Sequence, residues 1–186
     1  MPWCISCMAI TRINENRHEY TIGLAMYRLL LIIAIMLAAV AMALSLAHAL
    51  ELPGKMRLDK DTYLAVQKIY YPGFTIGGIA EPLGIIALLV LLVLTPSAST
   101  RFWWILAALL AMVVTHAIFW FVTQPVNSFW TKDAQLTGLA AMFFSLFPAD
   151  VAGDWSKLRD IWEYSHLARS VFAMLSFLLL LITVTG

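Results

Sequence analysis

The residues best suited to chemistry lie between Trp155 and Arg169, in the segment WSKLRDIWEYSHLAR. Trp155, Arg159, Trp162, His166 and Arg169 recur there in steps of four, three, four and three. At 3.6 residues per turn these spacings place two guanidiniums, an imidazole and two indoles on one stripe of a helix. The strongly apolar run SVFAMLSFLLLLITVT follows at once, so the stripe leads into a segment suited to lipid. Ionisable groups are costly in that setting, and a cluster of them marks a functional site. Imidazole is the side chain whose charge changes near neutral pH, so such a stripe could move a proton or hold a metal.

The rest of the chain has to position this stripe. Of its 186 residues 62% are hydrophobic and only 12% charged, the composition of an integral membrane protein. A formal net charge of +1 with no basic run excludes nucleic acid as a partner. Four segments reach the roughly 20 apolar residues that a hydrocarbon core requires, at about 27–49, 73–94, 102–123 and 166–185. The turn-rich connection TPSASTR ties the second and third into a hairpin. The predicted fold is therefore all-α: an antiparallel bundle of four transmembrane helices forming one membrane domain over 27–186, after a soluble tail over 1–26. Both termini share one side of the membrane, and the two long loops share the other.

This topology gathers further polar residues at the loop-side ends of the spans. His48 closes the first, Glu81 lies two turns into the second, and His116 and Trp120 lie near the end of the third. Ala34, Ala38, Ala41 and Ser45 form a small-residue stripe ending at His48, the surface that lets membrane helices approach closely. Gly73, Gly77 and Gly84 flank Glu81 at similar spacing and turn it into the bundle. A carboxylate at that depth must take a proton or meet a cation, and Arg169 and the histidines are at hand. Asn127 extends the His116 and Trp120 face only if the helix survives Pro125, which the missing N–H of proline argues against.

The long loops carry their own apolar periodicity. Tyr63, Val66 and Ile69 have helical spacing in a charged segment, and LTGLAAMFFSLFP over 136–148 is too short to span and too apolar for a linker. Both are expected to form short helices, the second interfacial or re-entrant, either as a lid over the pocket or simply resting in the headgroups. Cys4 and Cys7 form an isolated CxxC without a second pair, and Met8 offers a second candidate start. Indoles near span ends, Trp103 and Trp104 foremost, are expected to anchor at the headgroups. Arg28 and Arg101 flank the tightest elements and favour cytoplasmic termini.

Taken together, Pro125, Val126 and Asn127 with the following Trp130, and the pattern W-x3-R-x2-W-E-x2-H-x2-R from Trp155 through Arg159, Trp162, Glu163 and His166 to Arg169, resemble the anthrone oxygenase-like family of small four-helix membrane proteins. The resemblance covers about 27–186. It implies a multi-pass protein, in keeping with bacterial inner-membrane members, that oxidises an apolar aromatic or quinone-type molecule with dioxygen and no evident cofactor. On that reading His166 is the base, Arg159, Arg169 and Asn127 hold the oxyanion, and Trp120, Trp130, Trp155 and Trp162 enclose the substrate. Glu81 and Glu163 are buried acids for proton handling or pairing. Two other readings stand beside it. His48, Glu81, His116 and His166 come from four helices, as in metal-binding bundles, although Glu163 and His166 supply only one copy of the Glu-x-x-His motif. A bundle with these groups also suits an oligomer, an accessory subunit of a larger membrane complex, or the handling of protons or a small solute.

Overall fold

The computed structural model describes residues 5–131, 136–148 and 151–185, with side chains from Thr21 onward. Every element among these residues is helical. Helix α1 runs Ile5–Lys55, α2 Lys60–Gln67, α3 Gly73–Gly78, α4 Ala80–Leu94, α5 Thr100–Ile118, α6 Gln124–Thr131, α7 Gly138–Leu146 and α8 Trp155–Thr185. A 3-10 turn, Lys68–Tyr70, follows α2 and a π-helical turn, Phe119–Thr123, joins α5 to α6. Four stretches are long and apolar enough to cross a membrane: Thr21–Lys55, Gly73–Leu94, Thr100–Thr131 and Trp155–Thr185. The first begins within α1, which includes Ile5, so residues 5–26 of the segment expected to be a tail belong to the same helix. Cys4 and the Cys7 side chain lie outside the described residues.

Helix α8 packs along both α1 and α5, and α4 closes the group by packing on the same two helices. The centre of the bundle is made of small residues from α1, Ala34, Ala38 and Ala41, facing Ala87, Leu88 and Leu91 of α4 and Ile105, Ala108 and Met112 of α5. Alanine lets the backbones approach, and the Ser176 hydroxyl crosses from α8 to donate to the Ala108 carbonyl at 2.8 Å. Gly77 serves the same end: a Cβ there would lie 2.6 Å from Cδ1 of Leu44. Large apolar side chains such as Val93, Phe121 and Met36 point outward, as lipid-facing positions must.

The short connection after α4 is stabilised at both ends. The Ser99 hydroxyl accepts from the Phe102 amide to cap α5, and Tyr27 of α1 hydrogen-bonds Thr95 at 2.9 Å. At the other end of the bundle the chain does not stop at Thr123. The π-helical turn just before Pro125 widens the backbone where the proline ring would collide with the preceding turn and where its absent N–H breaks the ladder. The helix resumes as α6 and carries Asn127 on to α8. The expected break at Pro125 is thus replaced by a change of helical pitch.

Both loop segments contain short helices. In α2 the inward face is Tyr63 and Gln67, each almost fully buried, whereas Ile69 is 72% exposed. The apolar spacing of Tyr63, Val66 and Ile69 therefore names the helix but not its buried face. The reason is that Tyr63 and Val66 pack on Trp130, Leu158 and Trp162, a second apolar cluster at the loop-side ends of the third and fourth spans.

Candidate functional site

The polar residues of the spans meet in a cavity of about 190 Å³. Its walls are largely aromatic: Tyr70, Phe74, Phe119, Trp120, Phe143 and Trp162. Its polar lining is His48, Glu81, His116, Asn127, His166 and Arg169. Helix α7 contributes Phe143 and Phe144. The Phe143 ring lies 6.0 Å from Trp120, and Phe144 meets Tyr71 of the preceding loop at 5.5 Å. The opposite face of α7, with Leu139, Met142 and Leu146, is exposed.

Glu81 is 3% exposed and both of its oxygens are used. Oε1 accepts from the Arg169 guanidinium, and Oε2 meets His116 Nδ1 at 3.2 Å. Trp120 Nε1, which can only donate, gives its hydrogen to His116 Nε2 at 2.9 Å. His116 therefore carries its proton on Nδ1 and donates it to Glu81. Similarly, Arg169 Nη1 lies 3.2 Å from His166 Nε2, and a guanidinium can only donate. His166 then holds its proton on Nδ1, 3.0 Å from the Trp162 carbonyl oxygen. The lone pair of the expected base is thus engaged by Arg169.

His48 is held from the other side. Lys55 Nζ donates to its Nδ1 at 3.2 Å, which leaves the hydrogen on Nε2. Among the described residues His48 Nε2 has no hydrogen-bond partner, nor does Arg169 Nε, which is buried. The uncommitted imidazole nitrogen of the cavity is therefore a donor, while the Tyr71 and Thr75 hydroxyls that also line it can donate or accept. His48 also stacks edgewise on His166, with ring centroids 4.3 Å apart, and on Trp162 at 4.8 Å.

A second polar cluster lies behind Trp162. Lys55, 4% exposed, contacts Glu51 Oε2 at 2.8 Å and Glu163 Oε1 at 3.7 Å, and its ammonium sits 4.7 Å and 4.9 Å from the Tyr70 and Trp162 ring centres. Tyr63 donates to Glu163 Oε1 at 2.9 Å, and Tyr70 to Glu51 Oε2 at 2.6 Å. Burial, with a carboxylate beside each phenol, holds Tyr63 and Tyr70 well above the usual tyrosine range, so both remain hydrogen-bond donors. Asn127 accepts from Trp162 Nε1 at 2.6 Å and fixes that indole against the cavity.

Not all of the expected stripe reaches the cavity. Trp162, His166 and Arg169 line it, with Asn127 and Trp120 from the third span. Arg159 instead pairs with its neighbour Asp160 at 2.8 Å and lies over Trp155, while Trp130 packs against Tyr63 at 5.3 Å. The cause is length. Trp155 to Arg169 covers four turns, roughly 21 Å at 1.5 Å per residue, and its upper half meets α2 rather than the bundle interior. Nor do His48, Glu81, His116 and His166 form a metal cage: no group of three or more metal-ligating His, Cys, Asp or Glu side chains converges among the described residues. They divide into a His48 and His166 ring pair and a Glu81 and His116 pair that Arg169 neutralises. Lys55, Glu51 and Tyr70 were not singled out in the sequence, and Tyr63 only as part of a loop helix, although Glu51 and Lys55 fall three and seven residues beyond His48, on its own helical face.

Compared with known protein families, curated proteins and solved structures, the chain finds no match in sequence or in fold.

Proposed function

We propose that the chain is a multi-pass membrane oxidase or oxygenase that draws a small, apolar, carbonyl-bearing aromatic molecule of quinone type from the bilayer into this cavity. On this reading the helices form an antiparallel four-helix bundle of a bacterial inner membrane with cytoplasmic termini, and α2 and α7 lie at the interface. The observation that carries the proposal is an aromatic-walled cavity in which His48 Nε2–H, without a partner in the protein, and the Arg169 Nη1–H beside His166 offer donors suited to a carbonyl or enolate oxygen. Its 190 Å³ lies below the ~300–1,000 Å³ of pockets for drug-sized ligands, so one or two rings fit as the cavity stands and a third, as in anthrone, enters as α7 moves outward.

The hydrogen bonds suggest a sequence of events. A ligand oxygen that takes the Arg169 hydrogen bond releases His166 Nε2, whose lone pair then removes a proton from the CH2 that the carbonyl activates, across the central ring in an anthrone. The enolate oxygen is held by Arg169 and His48, and the electron-rich carbon reacts with dioxygen. Overall one CH2 and one O2 become one C=O and one water. Glu81, already paired, keeps the guanidinium in place. The test is purified protein in lipid nanodiscs with anthrone and dioxygen, read as anthraquinone absorbance and oxygen uptake. His166→Ala is expected to lose about 10²-fold or more in rate, the usual contribution of a positioned base. Equal rates for wild type, variant and protein-free nanodiscs would overturn the proposal.

A further inference from the structure

We infer that Glu51, Lys55 and His48 form a proton conduit joining the cavity to the aqueous surface on the side of the two long loops. The inference rests on the reading of the cavity as a place where a proton leaves or joins a ligand. Such a proton needs a path, because the aromatic walls and the lipid beyond them offer no acceptor. Glu51, Lys55 and His48 supply consecutive steps along one face of α1, spaced three and four residues apart. Glu51 is 41% exposed at the loop-side end of α1; its Oε2 lies 2.8 Å from Lys55 Nζ, which lies 3.2 Å from His48 Nδ1. Glu51 also stands 3.7 Å from His48 Nδ1 directly. The far nitrogen of His48 belongs to a ring that lines the cavity and touches His166.

The two faces of the imidazole make the relay possible. Inward, a Lys55 Nζ–H bond breaks as an Nδ1–H bond forms on His48, while the His48 Nε2–H proton passes to an oxygen in the cavity. Lys55 regains its proton from solvent through the Glu51 carboxylate. The outward direction is the reverse, and one proton moves with no electron. The groups facing this path are Tyr70, which donates to Glu51, Glu163 with Tyr63 behind Lys55, and Arg169 with His166 beyond His48. The Tyr70 and Trp162 rings, adjacent to each other and with centres 4.7 and 4.9 Å from the ammonium, keep Lys55 in line without consuming its hydrogens.

Exchange at His48 tests the conduit without any substrate. Histidine-labelled (15N) protein in nanodiscs is transferred to D2O and the loss of each ring N–H signal is followed by NMR, with His48→Gln assigning the resonance. Exchange at His48 should slow at least ten-fold in Glu51→Gln and in Lys55→Met, and added formate, a small mobile acid, should restore it in Glu51→Gln. Glu51→Gln alters a half-exposed side chain and keeps an acceptor for Tyr70, so it reports even if Lys55→Met does not fold. Unchanged or faster exchange in Glu51→Gln, or no effect of formate on it, would overturn the inference. Protein that leaves anthrone unreacted yet shows the slowed and rescued exchange would refute the proposed oxidation and keep the conduit.

Discussion

Replacing Glu81 by glutamine should destabilise the protein more than replacing Arg169 by glutamine, and the two changes together should cost less than their sum. Both side chains are buried at 3% and 8% exposure, and each is the other's main charge partner. Removing one member of a buried pair typically costs ~3–5 kcal/mol, because the remaining charge is stranded. The two survivors are not equivalent. In Glu81→Gln the guanidinium keeps its full charge among His48, His116 and His166, since arginine does not deprotonate in proteins. In Arg169→Gln the carboxylate retains His116 at 3.2 Å and can also take a proton. Glu81→Gln belongs near ~5 kcal/mol and Arg169→Gln near ~3 kcal/mol. The double variant removes both charges, and a coupling of ~2–3 kcal/mol follows, the upper range for contacting groups. Reversible unfolding in mixed micelles with increasing SDS measures all four proteins; 3 kcal/mol is about a 150-fold change in the unfolding constant. A cost below ~1 kcal/mol for Glu81→Gln, or strict additivity, would refute the reasoning that the pair is what makes the site tolerable in the bundle.

Trp162→Phe removes the 2.6 Å bond to Asn127 and leaves a buried acceptor, so a loss of ~1–3 kcal/mol is expected in the same unfolding assay. Tyr63→Phe should cost a similar ~1–3 kcal/mol, because Glu163 is fully buried and its Oε2 already lacks a partner. Gly77→Val should be worse than Gly77→Ala: a lone Cβ meets only the mobile tip of Leu44, whereas a branched side chain overpacks the α1 contact by ~1–3 kcal/mol in thermal melts. Acid should act at the ends of α2 and α8. Hydrogen bonds from Thr62 to Asp59, and from Ser156 and Lys157 to Asp154, hold both carboxyls below their usual range. Their capping is therefore complete above about pH 3.8 and is lost as pH falls through the lowered folded values, and Asp154→Asn should flatten that part of the stability curve.

The spans were legible because length and apolar composition leave few alternatives for a chain that is 62% hydrophobic. So were Glu81, His116, His166 and Arg169, since charge in such segments must find a partner. Arg159 and Trp155 share their helical stripe and yet lie outside the cavity, because periodicity gives direction around a helix but not where along it the neighbour ends. Lys55 was passed over for a related reason: in sequence it looks like any basic residue at the end of a span. Only the fold of α2 over it, bringing Tyr63 and the loop's Tyr70, shows that it is buried. The continuation past Pro125 was also hidden, since a wider turn upstream of a proline leaves no compositional mark.

That wider turn has a consequence of phase. Successive residues of an α-helix advance by roughly 100°, and one residue added to a turn shifts everything after it by that angle. The third span therefore does not present a single face from end to end. Early in the turn Trp120 looks toward Phe143 and Phe147, at 6.0 and 4.9 Å, and after it Asn127 looks toward Trp162. One helix thus addresses two neighbours that a uniform pitch could not serve at once. Its tolerance to substitution and to length should diverge accordingly: within Phe119–Thr123 an exchanged side chain perturbs one contact, while a single deleted residue turns the whole of Gln124–Thr131 away from α8.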